Sequence, residues 1–386
     1  MPAAFRDART RRAHLVAAGV LTIGLVGDAM LYAVLPASAA TYGIGALGVA
    51  LALSLNRFVR LLFNPLAARL LARIGLRSGT LLGALLAAAS TGAYAVAPGL
   101  ALLLAARVVW GASFATLRLT MLAYATLEPR RAARRLGSAT ALQELAPALL
   151  LVLGTAALGW LGVRGLFAAL AGLTLVAIPL ALALPPAPAP TRLPPSEPSP
   201  VAPARAPWGP GGVAAAVAFG VDGMLMAGIV LALMALGWTP LAAAQTGGAL
   251  LAARKVVQIV VSALAGRAGE RFGVERVVRA GTLATAAALA TMAAGAWHGA
   301  ALLVGAVATM VAGSLVTTLV PAVAAGSDTR ERLGVLAWLA NARDLGAALG
   351  AVAAPLLLMD AAHAGVVAIA FGASAGLVLV AFATWR

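Results

Sequence analysis

Read in windows of about nineteen residues, the chain is a row of about twelve apolar segments, at 13–35, 43–65, 78–97, 100–126, 136–158, 165–184, 212–235, 243–265, 278–296, 299–325, 333–358 and 365–384. Ionisable residues fall inside only some of them. A helix needs about 20 apolar residues to cross a bilayer. A charge held in hydrocarbon costs at least ~2.5–3.5 kcal/mol on insertion scales, so each one kept there is a functional candidate. Segments that carry charge are expected to face a polar interior, and those without charge to face lipid.

Composition excludes the soluble alternatives. Of 386 residues, 62% are hydrophobic and 10% charged, the profile of a polytopic helical membrane protein. Twelve spans of about 21 residues use about 250 residues, which leaves short loops and one linker. The net charge of +16 does not mark a nucleic-acid binder, because the basic residues gather at alternate loops. Cysteine is absent and His14, His298 and His363 are scattered near segment ends. Disulfides, thiolate chemistry and a clustered metal site are therefore not expected, and no cofactor or catalytic residue is assigned. Thr10-Arg11-Arg12 ahead of an apolar run resembles an export signal, but that run is long, contains Asp28 and precedes many further spans. It reads as the first retained helix.

Arginines set the expected topology. One side collects Arg6, Arg9, Arg11, Arg12, Arg69, Arg73, Arg77, Arg130, Arg131, Arg134, Arg135, Arg192, Arg205, Arg267, Arg271, Arg276, Arg279, Arg330, Arg332 and Arg386; the other has Arg164. Both termini are expected to be cytoplasmic, in a bacterial inner membrane. Residues 185–211, rich in Pro and Ser, read as a cytoplasmic linker between bundles at 1–184 and 212–386. Trp160, Trp238 and Trp297 lie at outer helix ends and Trp208 and Trp385 at inner ones, an interfacial belt. Trp110 and Trp338 sit within spans.

The halves echo one another. Gly27-Asp28-Ala29-Met30-Leu31 is matched by Val221-Asp222-Gly223-Met224-Leu225, and Asn56 to Gly75 by Arg254 to Gly273. Arg134-Arg135-Leu136-Gly137 is matched by Glu331-Arg332-Leu333-Gly334. Duplicated bundles with a site between them are a secondary-transporter architecture.

These residues carry a resemblance to the major facilitator superfamily over nearly the whole chain. Its loop signature between helices two and three, Gly-x-x-x-Asp-Arg-x-Gly-Arg-Arg, corresponds to Ala68 through Arg77; Arg73, Gly75 and Arg77 are retained, Ala68 and Ala72 replace its Gly and Asp, and Arg69 lies within it. A better-preserved second copy has Gly266, Glu270, Arg271, Gly273 and Arg276. Arg107 through Gly111 resembles the family's fourth-helix Arg-x-x-x-Gly signature. Span five has only Ala146-Pro147 where many proton-driven drug antiporters carry Gly-Pro. The resemblance implies an all-α membrane protein of twelve transmembrane helices in two pseudo-symmetric six-helix bundles. It also implies proton coupling, outward placement of spans three, six, nine and twelve, and gating by the cytoplasmic motifs.

Eleven ionisable residues lie within spans: Asp28, Arg57, Arg60, Arg107, Arg118, Glu144, Asp222, Arg254, Lys255, Arg343 and Asp344. Arg107, Trp110, Gly111, Phe114 and Arg118 form one helical stripe. Asp28 shares a face with Tyr32, and Arg254 shares one with Gln258 and Ser262. Asp28 and Arg107 lie at matching depth, about 12 Å from the outer ends of their spans. Pro147 frees the Gln143 carbonyl beside Glu144.

A carboxylate that alternates between a guanidinium partner and none can carry a proton, which makes Asp28, Asp222 and Glu144 the expected coupling residues. The expected substrate cavity comprises Tyr32, Arg57, Arg107, Trp110, Phe114, Arg118, Met226, Arg254, Lys255, Gln258, Trp338, Asn341, Arg343 and Asp344. The seven positive and four negative charges within spans favour a small anionic or zwitterionic organic solute. The expected activity is proton-coupled secondary transport by a monomer in the bilayer, directed to export of drugs or metabolites. Proton-linked uptake of an organic anion is the alternative, and a membrane sensor or a lipid-modifying enzyme are more distant ones.

Overall fold

The structure is a computed structural model describing residues 3–35, 39–186, 208–238, 240–326, 329–358 and 364–385. The expected linker, with Arg192 and Arg205, falls largely outside them. The described residues are helical with no strand. The helices are α1 (Ala3–Val34), α2 (Ala46–Ile74), α3 (Leu76–Val96), α4 (Leu100–Thr126), α5 (Ala132–Leu175), α6 (Ala177–Leu182), α7 (Trp208–Ala218), α8 (Met226–Ala235), α9 (Pro240–Phe272), α10 (Val274–Ala294), α11 (Gly299–Leu319), α12 (Thr329–Leu358) and α13 (Ala364–Thr384).

Eight helical runs among the described residues are long and apolar enough to cross a membrane. The other long helices are α2, α5 up to its break at Gly162 (φ +64°), α9 and α12. These are the ones that carry Arg57 and Arg60, Glu144, Arg254 and Lys255, and Arg343 and Asp344.

Two differences from the expected spans have clear local descriptions. Most of the signature expected in a loop after span two, Ala68 to Ile74, belongs to α2 itself, and Arg77 lies on α3. Helix α2 ends at Gly75, whose φ of +83° suits glycine and whose N–H donates to the Leu71 carbonyl at 2.9 Å. Helix α3 starts at the next residue. The second half repeats this junction: Gly273 has φ +87° and donates to Gly269 at 3.1 Å between α9 and α10. The duplication read in the sequence is thus also a duplication of backbone geometry.

The second difference is in span seven, where the run from Trp208 to Ala235 is interrupted by a π-helical segment, Phe219–Leu225, between α7 and α8.

The chain divides into two compact units. The first comprises Met1–Pro129, Ser138–Ala204 and Ser327–Ala337; the second comprises Arg130–Gly137, Arg205–Gly326 and Trp338–Arg386. In the first, α1 packs on α3, α4 and α6, and α2 on α4. Its core includes Met30, Leu31, Tyr42, Tyr94, Leu103 and Phe167, with the Tyr94 and Phe167 rings edge-on at 5.5 Å. In the second, α10 packs on α11 and α13, and α9 on α11.

Within the first unit α5 passes through Pro147, a position that removes one backbone donor from a helix. The Gln143 carbonyl accepts a hydrogen bond from the Thr22 hydroxyl of α1 at 2.9 Å, and the Ala146 N–H donates to the same hydroxyl at 3.3 Å. Thr22 therefore stitches α1 to α5 beside the proline. Thr22→Val is expected to cost about 1–2 kcal/mol, the scale of stranding a buried polar group, read as a lower unfolding midpoint of the detergent-purified protein.

Candidate functional site

In the first unit four helices converge on one guanidinium. Arg107 of α4 is fully buried. Its Nε donates to the Ala52 carbonyl of α2 at 2.7 Å. One terminal nitrogen donates both to the Asp28 carboxylate of α1 and to the Tyr94 hydroxyl of α3 at 3.2 Å. Tyr94 accepts in turn from Ser90 at 3.0 Å. Close approach of α1 to α3 depends on Gly27, where a Cβ would lie 2.2 Å from the Thr91 hydroxyl. Tyr42, outside the spans, donates its hydroxyl to the Tyr94 carbonyl at 3.0 Å. Burial pushes the Tyr42 phenol up to about 12, against the opposing pull of Arg164, so it stays a donor throughout the physiological range.

One turn further along α4 the stripe continues. Trp110 and Phe114 pack at 5.9 Å between ring centroids. The guanidinium groups of Arg60 and Arg118 lie over the Phe114 ring at 4.7 and 5.7 Å, cation–π contacts that favour burial of the arginine stems. Trp110 is 1% exposed and, among the described residues, its indole N–H has no hydrogen-bond partner.

The second unit holds a different arrangement. Asp222, inside the π-helical segment, accepts from Arg254 of α9 at one carboxylate oxygen. Its other oxygen lies 2.8 Å from Arg343 of α12. Two guanidinium groups from separate helices thus grip one carboxylate, leaving the trio with a net charge of +1. Side-chain exposures of 11% for Asp222, 16% for Arg254 and 26% for Arg343 show a clamp that is mostly enclosed but open at one edge.

Further along α9, Ser314 donates to Gln258 at 2.8 Å, Gln258 donates to Ser262 at 3.1 Å, and Ser262 and Thr318 lie 2.9 Å apart. This polar chain joins α9 to α11.

The family follows from sequence and fold together. Residues 17–253 match the family model of the Major Facilitator Superfamily. The chain belongs to that superfamily. No curated protein sequence matches it.

Among solved structures it is similar to the human organic anion transporter MFSD10 (TETRAN), with 18% identity, all of both chains covered and a TM-score of 0.72. It is similar to the proton:xylose symporter XylE, at 13% identity over 98% of this chain and 96% of that one, with a TM-score of 0.74. It is also similar to a bacterial homologue of the iron transporter ferroportin, at 14% identity over 97% and 98%, with a TM-score of 0.74. At such identities the shared property is the major facilitator fold of a membrane transporter.

The remaining expected residues distribute unevenly. Arg57, Met226, Lys255 and Asn341 are half-buried, and Asp344 is buried. Glu144, half-buried, accepts from the neighbouring Gln143 side chain at 3.3 Å. Trp338 stacks edge-on against Trp208 at 5.2 Å and presses on Gly211, where a Cβ would lie 1.4 Å from its ring; it serves as packing at the start of α7. The side chain of Tyr32 lies outside the described residues.

Of the loop motifs, Arg69, Arg73 and Arg276 are described together with their helices: Arg73 is exposed, and Arg69, Arg77 and Arg276 flank the α2–α3 and α9–α10 junctions. Arg271 lies over Phe272 at 5.2 Å. Glu270 pairs with Arg134 at 3.1 Å, and Gly266 abuts the backbone of Ala133 and Arg134 closely enough that a Cβ would meet the Ala133 carbonyl at 2.8 Å.

Reasoning from the sequence missed Tyr94, Thr22, and the close packing of the π-helical segment. Tyr94 lies on the third span, expected to face lipid because it carries no charge. A hydroxyl at the depth of Arg107 was the available signal.

Proposed function

We propose that this member of the superfamily is a proton-coupled secondary transporter of twelve spans, with both termini cytoplasmic. Its solute is a small organic anion or zwitterion, moved by alternating access between the two halves. The reading is carried by one observation: each half presents a carboxylate from its first span to arginine on a neighbouring helix, Asp28 to Arg107 and Asp222 to Arg254 and Arg343. A carboxylate parted from its guanidinium in a site of low dielectric takes up a proton, so breaking and remaking these pairs during a cycle moves protons.

Direction depends on whether solute and proton travel together. The export expected from the sequence needs the two to exclude each other. The net positive Asp222 clamp favours the other reading, in which an anion enters with a proton and the gradient of a respiring cell drives uptake. The Arg134–Glu270 pair is assigned to gating rather than to substrate contact.

The test is purified protein in liposomes under an imposed pH gradient, with solute flux and internal pH followed together. Anion accumulation on the alkaline side, accompanied by protons, is expected. Anion depletion against entering protons would establish export instead. No proton movement with any anionic, zwitterionic or cationic solute would remove the coupling.

A further inference from the structure

We infer that Asp222 is a built-in stand-in for the substrate's carboxylate: it occupies a two-arginine anion site and vacates it on protonation. The inference rests on the uptake reading above and adds a solute class, a monocarboxylate, and the element that controls its entry.

Two guanidinium groups on one carboxylate are more cation than a structural pair needs. A single arginine serves in the first unit, where Arg107 and Asp28 balance and Arg107 is sealed from solvent. In the second unit the corresponding aspartate has Arg254 on one oxygen and Arg343 on the other. Planar, forked guanidinium donors are suited to oxyanions, and both arginines keep an exposed edge.

The titratable groups beside the clamp lie on the helices that carry its arginines. Helices α7, α8, α11 and α13, which pack on the π-helical segment, contain no ionisable residue. On α9 and α12 the neighbours in sequence are Lys255 and Asp344. The segment itself is a local departure from α-helix, of a kind frequent at functional sites.

Charge balance fits an exchange. With Asp222 ionised, the trio carries +1. Protonating Asp222 releases the arginines and raises the charge to +2; a bound monocarboxylate returns it to +1. One proton and one monoanion therefore enter together without changing the net charge of the site. No bond other than the O–H on the Asp222 carboxyl is made or broken.

The probe is benzoate, with benzamide as its uncharged counterpart. Benzoate binding to purified wild-type protein is expected to tighten as pH falls from about 8 to about 5.5, approaching tenfold per unit, the limit for one linked proton. Addition of benzoate in weak buffer near neutral pH is expected to take up about one proton per site.

Asp222→Asn is expected to bind benzoate under alkaline conditions as tightly as wild type does in acid, with the pH dependence gone. Arg254→Gln and Arg343→Gln are expected to lose binding about tenfold or more, the scale of one charge-assisted hydrogen bond, and benzamide to bind none of the forms. Equal, weak binding by Asp222→Asn and wild type in alkali would overturn the inference. So would benzoate binding to wild type without proton uptake, a measurement that needs no variant, or no benzoate binding at any pH. Linked binding without flux in liposomes would leave the stand-in role intact and remove the transport reading. Proton-coupled flux with pH-independent binding would do the reverse.

Discussion

Replacing Asp28 with leucine is expected to cost more stability than replacing Arg107 with methionine, and the double replacement to recover most of the loss. The pair is enclosed, with Arg107 fully buried and the Asp28 side chain 14% exposed. Breaking a buried pair by removing one partner costs about 3–5 kcal/mol, because the remaining charge is stranded. The two strandings are unequal. A guanidinium does not give up its proton, so Asp28→Leu leaves a permanent buried cation without its carboxylate, beside the neutral Ala52 carbonyl and Tyr94 hydroxyl. A carboxylate neutralises by binding a proton, so Arg107→Met has an escape.

Leucine with methionine places apolar packing where the pair stood, a change often neutral or stabilising. The expected order of unfolding free energy in detergent is wild type and double variant highest, Arg107→Met lower, and Asp28→Leu lowest by about 3–5 kcal/mol. A double variant as unstable as Asp28→Leu would mean that Asp28 and Arg107 hold the fold through other partners. Transport is expected to fail in the double variant despite its stability, which would separate the coupling role proposed for the pair from its structural one.

That pairing is legible in the sequence, because depth along a span is a linear quantity. Asp28 and Arg107 lie equally far from the outer ends of their segments, and the structure joins them. The stripe on α4 is equally readable from a 3.6-residue period: Trp110, Phe114 and Arg118 do share a face. Pro147 announces a vacant carbonyl at Gln143, and only its partner, Thr22, is hidden until the helices are packed.

What periodicity does not supply is the rotation and separation of one helix relative to another. Asp222, Arg254 and Arg343 all read as residues within spans, but nothing in their spacing says that two arginines meet on one carboxylate. The π-helical segment is illegible for a related reason. Val221 to Leu225 echoes Gly27 to Leu31, which lies in uninterrupted α-helix. The copies differ at two places, Val221 for Gly27 and Gly223 for Ala29. What Gly223 accomplishes depends on Gly350, far along the chain, whose backbone it meets.

Alanine at Gly350 is expected to destabilise the second unit by about 3 kcal/mol, the upper end of overpacking costs, and to weaken the Arg343–Asp222 contact more than the Arg254–Asp222 one. A Cβ at Gly350 would lie 2.2 Å from the Phe219 carbonyl and 3.0 Å from the Gly223 Cα. One turn earlier, a Cβ at Gly346 would lie 2.0 Å from the Ala215 carbonyl, and one at Gly223 would meet the Gly350 Cα at 2.6 Å. These are backbone atoms, which no rotamer change moves aside. Small residues four apart that let helices touch backbone to backbone are a familiar membrane contact; here they seat α12 against the π-helical segment that carries Asp222.

Adding a methyl group must push α12 outward, and Arg343 travels with it, whereas Arg254 approaches from α9 and stays. On α13, a Cβ at Gly376 would meet nothing within 4 Å. Gly376→Ala is therefore the matched control, expected to be neutral or stabilising by up to about 1 kcal/mol through the unfolded chain. Thermal unfolding of both variants in detergent gives the first comparison. Benzoate binding by Gly350→Ala gives the second: weaker binding at low pH with its pH dependence retained is the signature of a displaced Arg343 and an intact Asp222–Arg254 pair. Equal melting of the two alanine variants would show that α12 and the π-helical segment do not touch as closely as the glycines imply.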